Sequence, residues 1–75
     1  MSYCRISGNC DVYAYNTGGG YMIHADIAGS NRHAAYFEPD IVRFRERMHE
    51  LRRLGCRIPE SAFERMDREI AERGT

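Results

Sequence analysis

Lysine is absent: all 11 basic residues of this 75-residue chain are arginine, and 11 acidic residues bring the net charge to zero. A chain without positive excess lacks the electrostatic footprint of a general nucleic-acid binder. A chain without negative excess is no acidic mimic of nucleic acid. With no lysine and no following helix, the triplet Gly18-Gly19-Gly20 is hairpin punctuation, not a phosphate cradle. No apolar run approaches the roughly 18 residues of a membrane span, and no signal peptide opens the chain, so no membrane partner and a cytoplasmic location are expected. Low-complexity tracts are also missing. At 43% hydrophobic and 29% charged, the composition is that of one globular domain near the lower size limit for a single core. A chain this small commonly gains stability by oligomerising. Three cysteines, Cys4, Cys10 and Cys56, form no even, closely spaced set and read as reduced thiols; a Cys4–Cys10 disulfide is a minor alternative.

The residues that are present predict an α+β domain in the order βββαα: a small antiparallel three-stranded sheet followed by two amphipathic helices. Residues 1–28 read as a β-meander, 29–38 as a loop, 39–55 as the first helix and 59–73 as the second. In the meander, alternation assigns Cys4, Ile6, Val12, Ala14, Tyr21, Ile23, Ala25 and Ile27 to a core face. Tyr3, Arg5, Tyr13, Tyr15, Met22, His24 and Asp26 fall on the other. "NTGGG" supplies the turn between the second and third strands. In the first helix Ile41, Phe44, Met48, Leu51 and Leu54 make an apolar stripe, closed by Gly55. In the second, Phe63, Met66 and Ile70 do the same, under an outer face of opposite charges three and four residues apart.

If both helices cover the apolar face, nothing in the chain covers the face of Tyr13, Tyr15 and His24. An aromatic patch of that kind marks an interaction surface more often than a monomer's wet side. Two occupants fit: a second copy of the chain, or a flat ligand stacked on tyrosine with arginine holding its phosphate. Arg5, Tyr13, Tyr15 and His24 are the ligand-binding candidates, with Arg32, Tyr36 and also His33 added from the loop; β-propensity alone is the bland account of the tyrosines. His24 and Asp26 lie two apart on one strand and could form a general-base pair, but no matched nucleophile accompanies them. Cys4, Cys10, His24 and His33 can be drawn as a zinc site, although the spacing matches no compact knuckle and Cys4 belongs to the core. No catalytic residue, metal or cofactor is expected.

"SYCRIS", "CDVYAY", "GGYMIHAD" and "LRRLGCRIPESAFERMDREI" together resemble a family of small proteins encoded by bacteriophages and prophages. Its members open with Tyr-Cys-Arg-aromatic-Ser and continue with Asp-Val-Tyr-Val-Tyr, a glycine turn, an aromatic and His-Val-Ala. The longer ones end in a Leu-x-x-Leu-x-x-x-Gly-Tyr-x-Val-Pro segment. Tyr13, Tyr15, His24 and Arg5 match that pattern; Ile6, Ala14 and Asp26 depart from it. The resemblance implies an accessory phage product acting in the host cytoplasm, most simply on host defence. It would sequester a nucleotide-derived signal in an oligomer, without catalysis. The alternatives are a protein–protein inhibitor of a host defence enzyme through the same face, and a phosphodiesterase-like enzyme using His24 and Asp26.

Overall fold

Tyr3 points the opposite way from the alternation, and the reason shows how the sheet begins. The computed structural model describes residues 2–26 and 33–73. Its first strand, β1 (Ser2–Cys4), runs antiparallel to β2 (Val12–Asn16), with Ser2 opposite Tyr15 and Cys4 opposite Ala14. Two steps along β1 match one step along β2. This bulge lets Tyr3 and Cys4 both enter the core, correcting the placement of Tyr3 on the open face. Ile6, expected inside, is 48% exposed because β1 ends at Cys4 and the chain turns through the Ser7–Cys10 bridge instead of continuing as strand.

From β2 the chain folds back through the glycine turn into β3 (Tyr21–Asp26). Thr17 N–H donates to the Gly20 carbonyl, Gly18 N–H donates to Asn16 Oδ1, and Gly18 has φ of +88°. Gly20 is required by packing: a Cβ there would stand 2.5 Å from the Phe37 ring and 2.8 Å from the Glu38 carbonyl oxygen.

The sheet has four strands, not three. Residues expected to form a loop instead supply β4 (His33–Glu38), antiparallel to β3 at the edge of a sheet ordered β1-β2-β3-β4. "HAAYFE" hides its strand character because paired alanines and a Tyr-Phe pair break any apolar alternation. Ile27 and Arg32 lie outside the described residues.

Both helices pack on one face. Helix α1 (Ile41–Arg53) starts at the Asp40 N-cap, whose side chain accepts from Arg43 N–H at 2.8 Å, with Pro39 just ahead of it. Its end is a Schellman motif: Cys56 N–H donates to the Leu51 carbonyl and Gly55 N–H to that of Arg52, with Gly55 at φ of +106°. Leu54 is therefore the C-cap, 57% exposed, and does not extend the buried stripe. Ile41, Phe44, Met48 and Leu51 are buried as the spacing predicts. Helix α2 (Glu60–Arg73) buries Ala62, Phe63 and Met66, with Ile70 packed at the margin.

The core joins these residues to Val12, Ala14, Tyr21, Ile23 and Ala25 from the sheet. At its centre Phe44 stacks on Tyr21 (centroids 4.7 Å apart, 10° between planes) and meets Tyr3 at 5.0 Å. The Tyr3 and Tyr21 hydroxyls escape burial without a partner by both donating to the Glu69 carboxylate of α2. Burial first, and that carboxylate second, push both phenols above their ordinary range.

Candidate functional site

Cross-strand pairs fix the composition of the uncovered face. Tyr13 lies opposite His24, and His24 opposite Ala35; Tyr15 lies opposite Met22, and Met22 opposite Phe37; Asp26 lies opposite His33. Directly paired residues share a face, so these eight line the side of the sheet away from the helices. The bland exposure of a wet sheet would scatter such groups. Here the rings touch: Tyr13 to Tyr15 at 4.9 Å, Tyr15 to His24 at 5.9 Å, and His24 to His33 at 5.4 Å between centroids.

A hydrogen-bonded chain runs through the same rings. Tyr15 Oη is 3.4 Å from His24 Nε2, His24 Nδ1 is 3.3 Å from His33 Nε2, and His33 Nδ1 is 3.3 Å from Asp26 Oδ1. One orientation satisfies every link. The ionised Asp26 only accepts, so His33 donates from Nδ1 and accepts at Nε2; His24 then donates from Nδ1 and accepts the Tyr15 proton at Nε2. The direct His24–Asp26 pair that the strand spacing allows is not what forms. His33 stands between them, carried there by β4.

Of the candidate residues, Tyr13, Tyr15, His24 and His33 are brought together. Arg5 lies beside Tyr13, lining with Ile6 a shallow hollow of about 400 Å³. Its Nε donates weakly to Ser2 Oγ at 3.4 Å, and the head is otherwise exposed. Tyr36 is on the opposite face, paired with Ile23 and lying under the Arg47 guanidinium at 4.6 Å, so it cannot join the others. Arg47 also pairs with Glu38 at 2.9 Å, which ties β4 to α1. Sequence reasoning named His33 only as a loop residue and missed Phe37, because both belong to the strand it read as a loop.

The thiols take no part. Cys4, Cys10 and Cys56 are free and buried. Burial, reinforced by the neighbouring Cys10, pushes the Cys4 thiol up to about 12, and burial with the Asp11 and Asp26 carboxylates raises that of Cys56. Cys4 and Cys56 therefore stay protonated at neutral pH and are neither nucleophiles nor ready ligands. Among the described residues, no three or more His, Cys, Asp or Glu side chains are placed to hold a metal ion. No helix among them is long and apolar enough to cross a membrane. No family model, curated protein or solved structure matches this chain.

Proposed function

We propose that this chain is a small phage-borne accessory protein that binds and sequesters a nucleotide-derived signalling molecule in the host cytoplasm. It works as an oligomer, through the uncovered sheet face, and does not turn its ligand over. The observation that carries this reading is the contiguous row of Tyr13, Tyr15 and His24 rings on that face, with the Arg5 guanidinium beside it. A base packed against tyrosine gains about 1–3 kcal/mol. Arginine is the cation whose planar fork fits a phosphate in two hydrogen bonds. Because the hollow is shallow, one copy encloses little of a ligand; a second copy across the face supplies the other wall.

A protein target is the second reading, favoured by Ile6, Tyr13 and Phe37, which are 48%, 37% and 54% exposed. Apolar side chains spread along a flat face suit a protein surface better than a nucleotide. Thermal shift with native mass spectrometry, against cyclic di- and trinucleotides and ADP-ribose derivatives, separates the readings. Sequestration requires that one compound raise the Tm of an oligomer and be recovered unchanged. It also requires that Tyr13→Ala, Tyr15→Ala or Arg5→Ala abolish the shift. A silent panel, with a host protein captured only when Phe37 and Tyr13 are intact, supports the inhibitor. Conversion of a compound that stops in His24→Ala supports the phosphodiesterase-like enzyme.

A further inference from the structure

The quartet Cys4, Cys10, His24 and His33 does not assemble, since its thiols are buried in the core while its imidazoles stand together on the open face. The imidazole half has the geometry of a ligand pair by itself. We propose that His24, through Nδ1, and His33, through Nε2, hold one divalent transition-metal ion of the Zn²⁺ type, with water completing the coordination.

Two imidazole nitrogens bound to one tetrahedral ion at about 2.0–2.1 Å stand roughly 3.3 Å apart. His24 Nδ1 and His33 Nε2 are 3.3 Å apart. The pair is held by neighbouring strands of one sheet, since His33 faces Asp26 across the β3–β4 ladder and His24 faces Ala35. His33 is already oriented as metal-binding imidazoles are, its far nitrogen donating to a carboxylate, and His24 has a partner, Tyr15, at its far nitrogen. Asp26 Oδ1 accepts from His33 Nδ1 and leaves the Nε2 lone pair aimed at His24. Tyr15 Oη sits on His24 Nε2.

Binding requires one tautomer change. The His24 proton moves from Nδ1 to Nε2 and is donated to Tyr15 Oη, which gives up its own donation there. Each ring carries the same number of protons before and after, and the His24–His33 hydrogen bond is replaced by two metal–nitrogen bonds. Imidazole nitrogens suit Zn²⁺, Ni²⁺ and Cu²⁺ and disfavour Mg²⁺ and Ca²⁺. The side chains of His33 and Asp26 are 55% and 60% exposed, so an ion reaches them from solvent. The inference does not depend on the nucleotide reading, because nothing in it requires a second ligand.

The test titrates the full chain with Co²⁺, read by visible absorption, and with Zn²⁺ in competition with a chromophoric chelator. The expected result is one ion per chain. Affinity should fall at least about tenfold in His24→Gln and His33→Gln, and by about 10- to 100-fold in Asp26→Asn, whose carboxylate only positions His33. His49→Gln, on the far side of the molecule against Phe63, should bind as the parent does. Long-range proton–nitrogen NMR of the unaltered chain reads the ligand atoms without any variant: Zn²⁺ should shift His24 Nδ1 and His33 Nε2. Wild-type affinity in both histidine variants overturns the proposal. So does a thiolate-to-cobalt charge-transfer band, or no binding at millimolar Co²⁺.

Discussion

Asp11 and Arg57, 46 residues apart, are joined by four contacts that fasten the interhelical segment to the start of β2. The Asp11 carboxylate accepts from the Arg57 backbone N–H at 2.7 Å, from Nε at 3.2 Å and from the second guanidinium nitrogen at 2.9 Å. Asp11 N–H donates back to the Arg57 carbonyl at 2.9 Å. The hydrogen bonds from Arg57 hold the Asp11 carboxyl below its ordinary value of 3.8. A folded pKa below the unfolded one means that the unfolded chain binds more protons between the two values. The stabilisation is present above about pH 4 and is lost as pH falls through the folded value. Melting curves from pH 5 to pH 2 should show this loss. Asp11→Asn should lower the Tm at neutral pH and flatten that limb.

His49 gives a second pH dependence in a different window. It packs on Phe63 at 4.3 Å, and its pKa is lowered first by burial and then by Arg45, Arg53 and Arg52. Asp67 opposes the shift without cancelling it. The folded state therefore resists the second proton that the unfolded chain accepts below its ordinary value of about 6.5. Stability is full above that value and declines as pH falls through the folded one. Denaturant melts at pH 7 and pH 5 should differ, and His49→Gln should reduce the difference.

The lock formed by Tyr3, Tyr21 and Glu69 predicts non-additive mutations. Glu69→Leu strands two phenolic hydroxyls at the core margin and should destabilise by about 1–3 kcal/mol. Adding Tyr3→Phe and Tyr21→Phe removes the orphaned groups and should restore part of that loss, a coupling that a mutant cycle measures. In the unaltered protein, absorbance titration should find two of the five tyrosines ionising above the ordinary phenol range, as burial and Glu69 require.

The helices were legible in the sequence because each carries a spacing of three and four that only a helix satisfies. Phe44, Met48 and Leu51, and Phe63 and Met66, are buried as that spacing demands. The β2–β3 hairpin was legible from alternation around the glycine triplet. Two features were not. The bulge at Tyr3 leaves no mark, since Tyr3 suits either face until its hydroxyl finds Glu69 across the domain. β4 was illegible because an edge strand need not alternate: Phe37 rests on Gly20 and Tyr36 under Arg47, contacts that exist only after folding. That omission left His33 in a loop, so Asp26 was weighed only against His24 when it bonds to the histidine across the β3–β4 ladder.

Gly20 tests the packing of that hidden strand. Gly20→Ala sets a methyl against the Phe37 ring and the Glu38 carbonyl oxygen, and overpacking of this kind costs about 1–3 kcal/mol. The ring can retreat, since Phe37 is 54% exposed, but the carbonyl belongs to the backbone. Phe37→Ala in the Gly20→Ala background should therefore recover only part of the loss. Chemical denaturation of the single and double variants measures the remainder.

The two faces of the sheet should respond differently to the same truncation. Phe44, fully buried against Tyr3 and Tyr21, should cost about 3–5 kcal/mol as Phe44→Ala. Tyr15, on the uncovered face, makes cross-strand contacts worth about 0.2–1 kcal/mol, so Tyr15→Ala should stay within that range. Tyr13→Ala, 37% exposed, should behave alike. Urea melts of the three variants at one protein concentration decide the matter. A large loss at Tyr15 that deepens on dilution would mean that a second copy already covers this face. A small, concentration-independent loss would mean that the row of rings contributes little to folding and that no second copy covers this face.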